Sequence, residues 1–203
     1  MACLLGGYNN LTVWWLMIHY FTNRELSQKL EINLARWKRW SRAFLPPDPL
    51  GGMQSGYARQ YLFKDLFKVY LGGHLLAHVK LSVADSHRVL EDLSPWLKKN
   101  GYFDWNGING ETAEKEGFRN TCRIYFSPLR SVAAKSGSEF RYLIRETVNV
   151  QSPASTSSEH VRETYADIMI HAEVSEKGLL LQDPELRMVN LAAVYANAVH
   201  RLC

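Results

Sequence analysis

Four cations crowd one short stretch of this chain: Arg36, Lys38, Arg39 and Arg42, with Arg59 following. Guanidinium and ammonium groups bind anions. Arginine in particular matches paired acceptors, such as two phosphate oxygens or the edge of a guanine. On a helix at 100° per residue, Leu34, Trp37, Trp40 and Phe44 fall in one arc. Arg36, Lys38, Arg39 and Arg42 fall in another, with arc centres about 175° apart. One face can therefore seat in a small core while the other meets an anionic partner. The plain alternative is a solvated helix face, and the distribution of charge bears on it. The total over 203 residues is only +4, but residues 1–20 carry no formal charge. Residues 21–64 hold eight Lys or Arg against three acids, a net of +5, and residues 65–203 have a net of −1. All the surplus positive charge lies in one segment, the pattern expected of a nucleic-acid contact.

Other chemistry-bearing residues point nowhere as specific. His74 and His78 have helical spacing, but Leu75 stands where a metalloprotease pattern needs Glu, and no third ligand accompanies them. Metal binding is not expected. Cys3, Cys122 and Cys203 have neither metal-ligand nor redox spacing, and they suit a reducing compartment. Cys122 falls on an apolar strand face and reads as a small core residue. Arg141 and Arg145 fall opposite the apolar set of their strand, where cations are ordinarily solvated. No nucleophile–base motif, phosphate loop or carboxylate pair stands out, so neither an enzyme nor a cofactor is expected.

These cations need elements to position them. Thr22 and Glu25 form a capping box that starts a short helix, with Phe21 and Leu26 as its hydrophobic staple. The helix ends near Leu30, and Asn33 caps a second helix over about 34–43. Pro46-Pro47-Asp48-Pro49 stops it. Residues 45–61 are rich in turn formers and read as a hairpin, a candidate wing. Residues 63–78 resume helical periodicity, with Gly72-Gly73 permitting close packing. Ser82 starts a further helix with Val83, Leu90, Leu93 and Leu97 inward, and Asn100-Gly101 ends it. Alternation predicts strands around 122–126 and 140–150. Val161, Tyr165, Ile168 and Ala172 recur at helical spacing. Asp183-Pro184 predicts a last helix with Leu186, Val189, Ala193 and Ala196 inward.

A short capped helix, a tight turn and a basic amphipathic helix make a helix-turn-helix. Residues Phe21 to Leu97 resemble the DNA-binding domain of the MerR family of bacterial transcription regulators. Glu25-Leu26-Ser27 is similar to the family's Glu-Leu-Ala. Trp37-Lys38-Arg39-Trp40-Ser41 loosely matches Leu-Arg-Tyr-Tyr-Glu, and Leu45-Pro46-Pro47 matches Leu-Pro-Pro. Gly56-Tyr57-Ala58-Arg59-Gln60-Tyr61 is similar to the wing's Gly-Tyr-Arg-x-Tyr, with one residue more. Tyr61 to Leu66 and Lys80 to Asp85 carry weaker likenesses. Trp40 replaces a usual tyrosine, and the family's long dimerisation helix is not evident.

The resemblance and the helix geometry imply a cytoplasmic regulator of transcription that binds double-stranded DNA, as a homodimer because one helix-turn-helix reads a short half-site. Arg36 and Arg39 are expected at base edges; Lys38, Arg42, Tyr57 and Arg59 are expected at phosphates. The fold expected is α+β. Residues 1–16 read as an extension upstream of a natural start at Met17, or as disordered. Residues 17–100 form the winged helix-turn-helix, 101–118 a linker, and 119–203 a small α+β unit for an effector or for dimerisation. A protein-interaction or architectural winged helix and a ligand-binding protein working through residues 119–203 are the competing readings.

Overall fold

The computed structural model describes residues 20–48, 58–105, 122–129, 139–151 and 162–202. Among the described residues, the fold mixes six α-helices with two antiparallel sheets. The expected extension over residues 1–16, residues 49–57 of the expected hairpin and most of the expected linker lie outside the described residues.

The helical half begins with strand β1 (Phe21–Thr22), helix α1 (Asn23–Lys29) and helix α2 (Leu34–Phe44). The capping box forms as expected. The Thr22 side chain accepts from the Glu25 amide, and the Glu25 carboxylate accepts from the Thr22 amide at 2.7 Å. That hydrogen bond to Thr22 holds the Glu25 carboxyl below its ordinary range. Asn33 caps α2, accepting from the amides of Ala35 at 2.9 Å and Arg36 at 3.3 Å. Strand β2 (Gln60–Tyr61) returns to pair antiparallel with β1, Phe21 opposite Tyr61.

Helices α3 (Phe63–Ala77) and α4 (Val83–Lys99) follow. The glycine pair lies where α3 passes α2. A Cβ on Gly72 would come within 2.7 Å of the Phe44 ring, and one on Gly73 would overlap the Trp40 ring. Ser82 caps α4, accepting from the Asp85 amide at 3.0 Å. Val83, expected inward, is 52% exposed. It opens the first turn, on the solvent side of the cap, and Val89 takes the buried position. Gly101 closes the helix in the left-handed region, at φ 74°. Tyr102 and Phe103 then turn back into the core.

The second sheet has the order β5-β4-β3-β6, from β3 (Cys122–Leu129), β4 (Glu139–Gln151), β5 (Arg162–Ile170) and β6 (Arg187–Asn190). All neighbours are antiparallel, with Ile124 opposite both Ile144 and Val189. Two expectations fail here. The helix read from Val161, Tyr165, Ile168 and Ala172 is strand β5: Tyr165 and Ile168 fall on opposite faces of the strand, both exposed, and Ala172 lies past its end. The helix read from Asp183-Pro184 begins later, as α6 (Leu191–Leu202). Asp183 instead holds a tight turn, its side chain accepting from the Glu185 amide at 2.9 Å. Residues 187–190 then complete the edge of β3. Asn190 caps α6, accepting from the Ala193 amide at 3.0 Å. Among the stripe expected inward, Val189 is buried, while Ala193 and Ala196 are exposed.

Cys122, Ile124, Phe126, Tyr142, Ile144 and Val189 form the inner face of the sheet. Leu143, on the opposite face by alternation, is also fully buried, and the short helix α5 (Lys177–Leu181), with its buried Leu180, lies against β3 and β4. One apolar core runs from Phe21 to Leu202 through both halves. Tyr195 of α6 meets Phe63, Phe67 and Tyr102 edge-on, with centroids 5.4–5.7 Å apart. The Tyr142 hydroxyl donates to Asp92 of α4 at 2.8 Å. Burial, then that hydrogen bond, pushes the Tyr142 phenol well above its ordinary range. Among the described residues, no helix is long and apolar enough to cross a membrane.

Candidate nucleic-acid interface

Helix α2 has two faces, as its sequence predicts. Trp37, Trp40 and Phe44 are buried, and Trp37 is completely enclosed. Each aromatic ring hides a large apolar area, so this face anchors a helix of three turns that would not hold alone in water. Arg36, Lys38, Arg39 and Arg42 are exposed. None of the four forms an ion pair with a carboxylate among the described residues. Arg42 does donate from Nε to the Lys38 carbonyl at 3.3 Å, a contact along its own helix. Four cations on one face therefore remain available to an external anion.

Arg59 precedes β2 and is half-buried. Its guanidinium carbon lies 5.6 Å from the centre of the Tyr61 ring. A cleft of about 660 Å³ separates Arg59 from α2. Lys38 and Arg42 line one side, Pro46, Pro47 and the carboxylate of Asp48 another, and Arg59 and Tyr61 the third. The structure thus gathers Lys38, Arg42 and Arg59 around one cavity. Arg36 and Arg39 do not line it. Tyr57 lies outside the described residues.

The floor of the cleft holds residues that spacing along the chain does not single out. The Ser41 and Tyr61 hydroxyl oxygens lie 2.7 Å apart, and the Tyr61 hydroxyl donates to Asn23 Oδ1 at 2.7 Å. Since that proton goes to Asn23, Ser41 donates to Tyr61. Three elements, α1, α2 and β2, meet in this chain of hydroxyls. Its members are 18 to 38 residues apart in sequence. Only the polar Ser41 on an otherwise apolar flank of α2 offered a local hint.

The remaining candidates are taken up within the protein. His74 and His78 stack with ring centroids 4.6 Å apart, and burial, then the neighbouring His78, lowers the His74 pKa. Among the described residues, no group of three or more His, Cys, Asp and Glu is arranged to hold a metal ion. Cys122 is fully buried on the inner face of the sheet. Arg141 pairs with Asp183 at 2.8 Å, and Arg145 grips Asp167 with Nε and Nη2 at 2.8 and 3.0 Å. That hydrogen-bonded pairing lowers the Asp167 pKa, and Lys177 adds to it. These arginines differ from those of α2 in having carboxylates of their own.

No protein-family model and no curated protein matches the chain.

Proposed function

We propose that the chain binds double-stranded DNA through a winged helix-turn-helix, with α2 in the major groove. The observation that carries this reading is the division of α2 into a buried aromatic face and an exposed face of four cations that have no carboxylate partner among the described residues. A major groove accepts a helix of this width, and unpaired arginines and lysines neutralise phosphates and release counterions. Arg36 and Arg39 are the candidates for base edges. Lys38, Arg42 and Arg59, grouped at the cleft, are the candidates for one phosphate backbone, and Tyr57, outside the described residues, is a further candidate on the resemblance to MerR-type regulators alone. That resemblance extends the proposal to transcription regulation by a homodimer, with the sheet half serving an effector or the partner protomer.

Selection of bound duplexes from a random pool tests this reading. A half-site, repeated with two-fold symmetry at a fixed spacing, is the expected result. Retention of random duplex without enrichment would leave an architectural winged helix. Absence of salt-dependent duplex binding would end the proposal.

A further inference from the structure

Arg59 is the cation of the cleft that α2 does not carry. It sits one residue before β2, itself a strand of only two residues, and needs something to aim it. Tyr61 is the side chain in contact with it. The Tyr61 ring is only 1% exposed, so it is held firmly. Arg59 lies over that ring at 5.6 Å, and Trp37 meets the ring edge-on at 5.7 Å. The Tyr61 hydroxyl is fixed from both sides, by Ser41 of α2 and Asn23 of α1.

We infer that Tyr61 is a positioning residue of the interface: its ring aims Arg59 into the cleft, and its hydroxyl sets that ring against α1 and α2. The inference rests on the duplex-binding reading and deepens it. A guanidinium over an aromatic face keeps its donors outward, because the ring quadrupole attracts the charge without using its N–H groups. Arg59 is thereby presented toward the cavity that Lys38 and Arg42 border. Trp37 and Ser41, one turn apart on α2, both touch Tyr61, so the strand and the helix move as one body. Arg59 and the α2 cations then approach a phosphate backbone at a fixed separation rather than as independent side chains.

The ring and the hydroxyl make separable contributions. The test compares wild type, Arg59→Ala, Tyr61→Phe, Tyr61→Leu and the Arg59→Ala/Tyr61→Leu pair, titrated with one duplex recovered by selection, across a salt series. Wild type sets the slope of log affinity on log salt. Arg59→Ala is expected to flatten that slope by about 0.9, the loss of one phosphate contact. Tyr61→Leu removes the ring and is expected to flatten it equally, with no further change in the double variant. Tyr61→Phe keeps the ring, so the slope should hold while affinity falls about five-fold with the hydroxyl chain broken. A Tyr61→Leu protein that binds with the wild-type slope overturns the inference and leaves duplex binding standing. A wild type without any salt-dependent binding removes both.

Should Tyr61→Leu not fold, the wild-type protein still decides. The Arg59 side-chain protons should resonate upfield from ring current, and its Nε should relax as an ordered group. Unshifted resonances with a freely mobile Nε would overturn the assignment.

Discussion

Gly73 shows how finely a single residue governs the seating of α2. Alanine is the better helix former by about 1 kcal/mol, so propensity alone predicts that Gly73→Ala stabilises α3. The Trp40 ring occupies the place of the added methyl, however. Insertion into a packed core costs about 1–3 kcal/mol. The ring belongs to the helix that carries the cations and cannot yield without shifting α2, so the steric cost outweighs the propensity. Gly73→Ala is expected to lower the urea midpoint without changing the slope of the transition; a raised midpoint would contradict it. At this scale the sequence told half the story. Gly72-Gly73 was legible as a place of close packing, since two glycines inside a helical pattern otherwise only weaken it. Which rings filled the space was not legible, because Trp40 and Phe44 arrive from another helix. The Ser41–Tyr61–Asn23 chain was hidden for the same reason, since hydrogen bonds between distant residues leave no local period.

Elements were readable where local chemistry defined them. Helices α1, α2 and α4 each start on a side chain that caps the first turn, and those caps are local in sequence. Strand β5 was misread because its identity comes from its neighbour. Asp167 interrupts the apolar pattern, and only Arg145 and Lys177 explain its place there. The start of α6 was misread because Pro184 suits a first helical turn as well as a tight turn. The end of α6 has a consequence of its own. Lys29 of α1 donates to the Leu202 carbonyl at 2.6 Å, and Arg201 reaches the Leu30 carbonyl at 3.1 Å together with the Glu31 carboxylate. The cations thus satisfy backbone acceptors at the ends of both helices. Lys29→Met is expected to cost about 0.5–1.5 kcal/mol and to speed amide exchange in the last turn of α6. Unchanged exchange there would show that the contact does not hold the helix end.

Across the whole molecule, the helices and the sheet share one core. Tyr195 packs among Phe63, Phe67 and Tyr102, and Tyr142 reaches Asp92, so both sides of the chain lose buried contacts if separated. Tryptophan fluorescence, dominated by the helical half, and far-ultraviolet circular dichroism of the complete chain are expected to report one coincident unfolding transition. Two separated midpoints would show that the halves unfold independently.

The seat of Trp40 against Gly73 reaches beyond stability. Because that ring fits against bare backbone, α2 cannot turn about its own axis without a clash. The azimuth of its charged face is decided before any partner arrives. A protein whose charged face is already oriented loses little conformational entropy on association, so more of each contact's free energy is expressed as affinity.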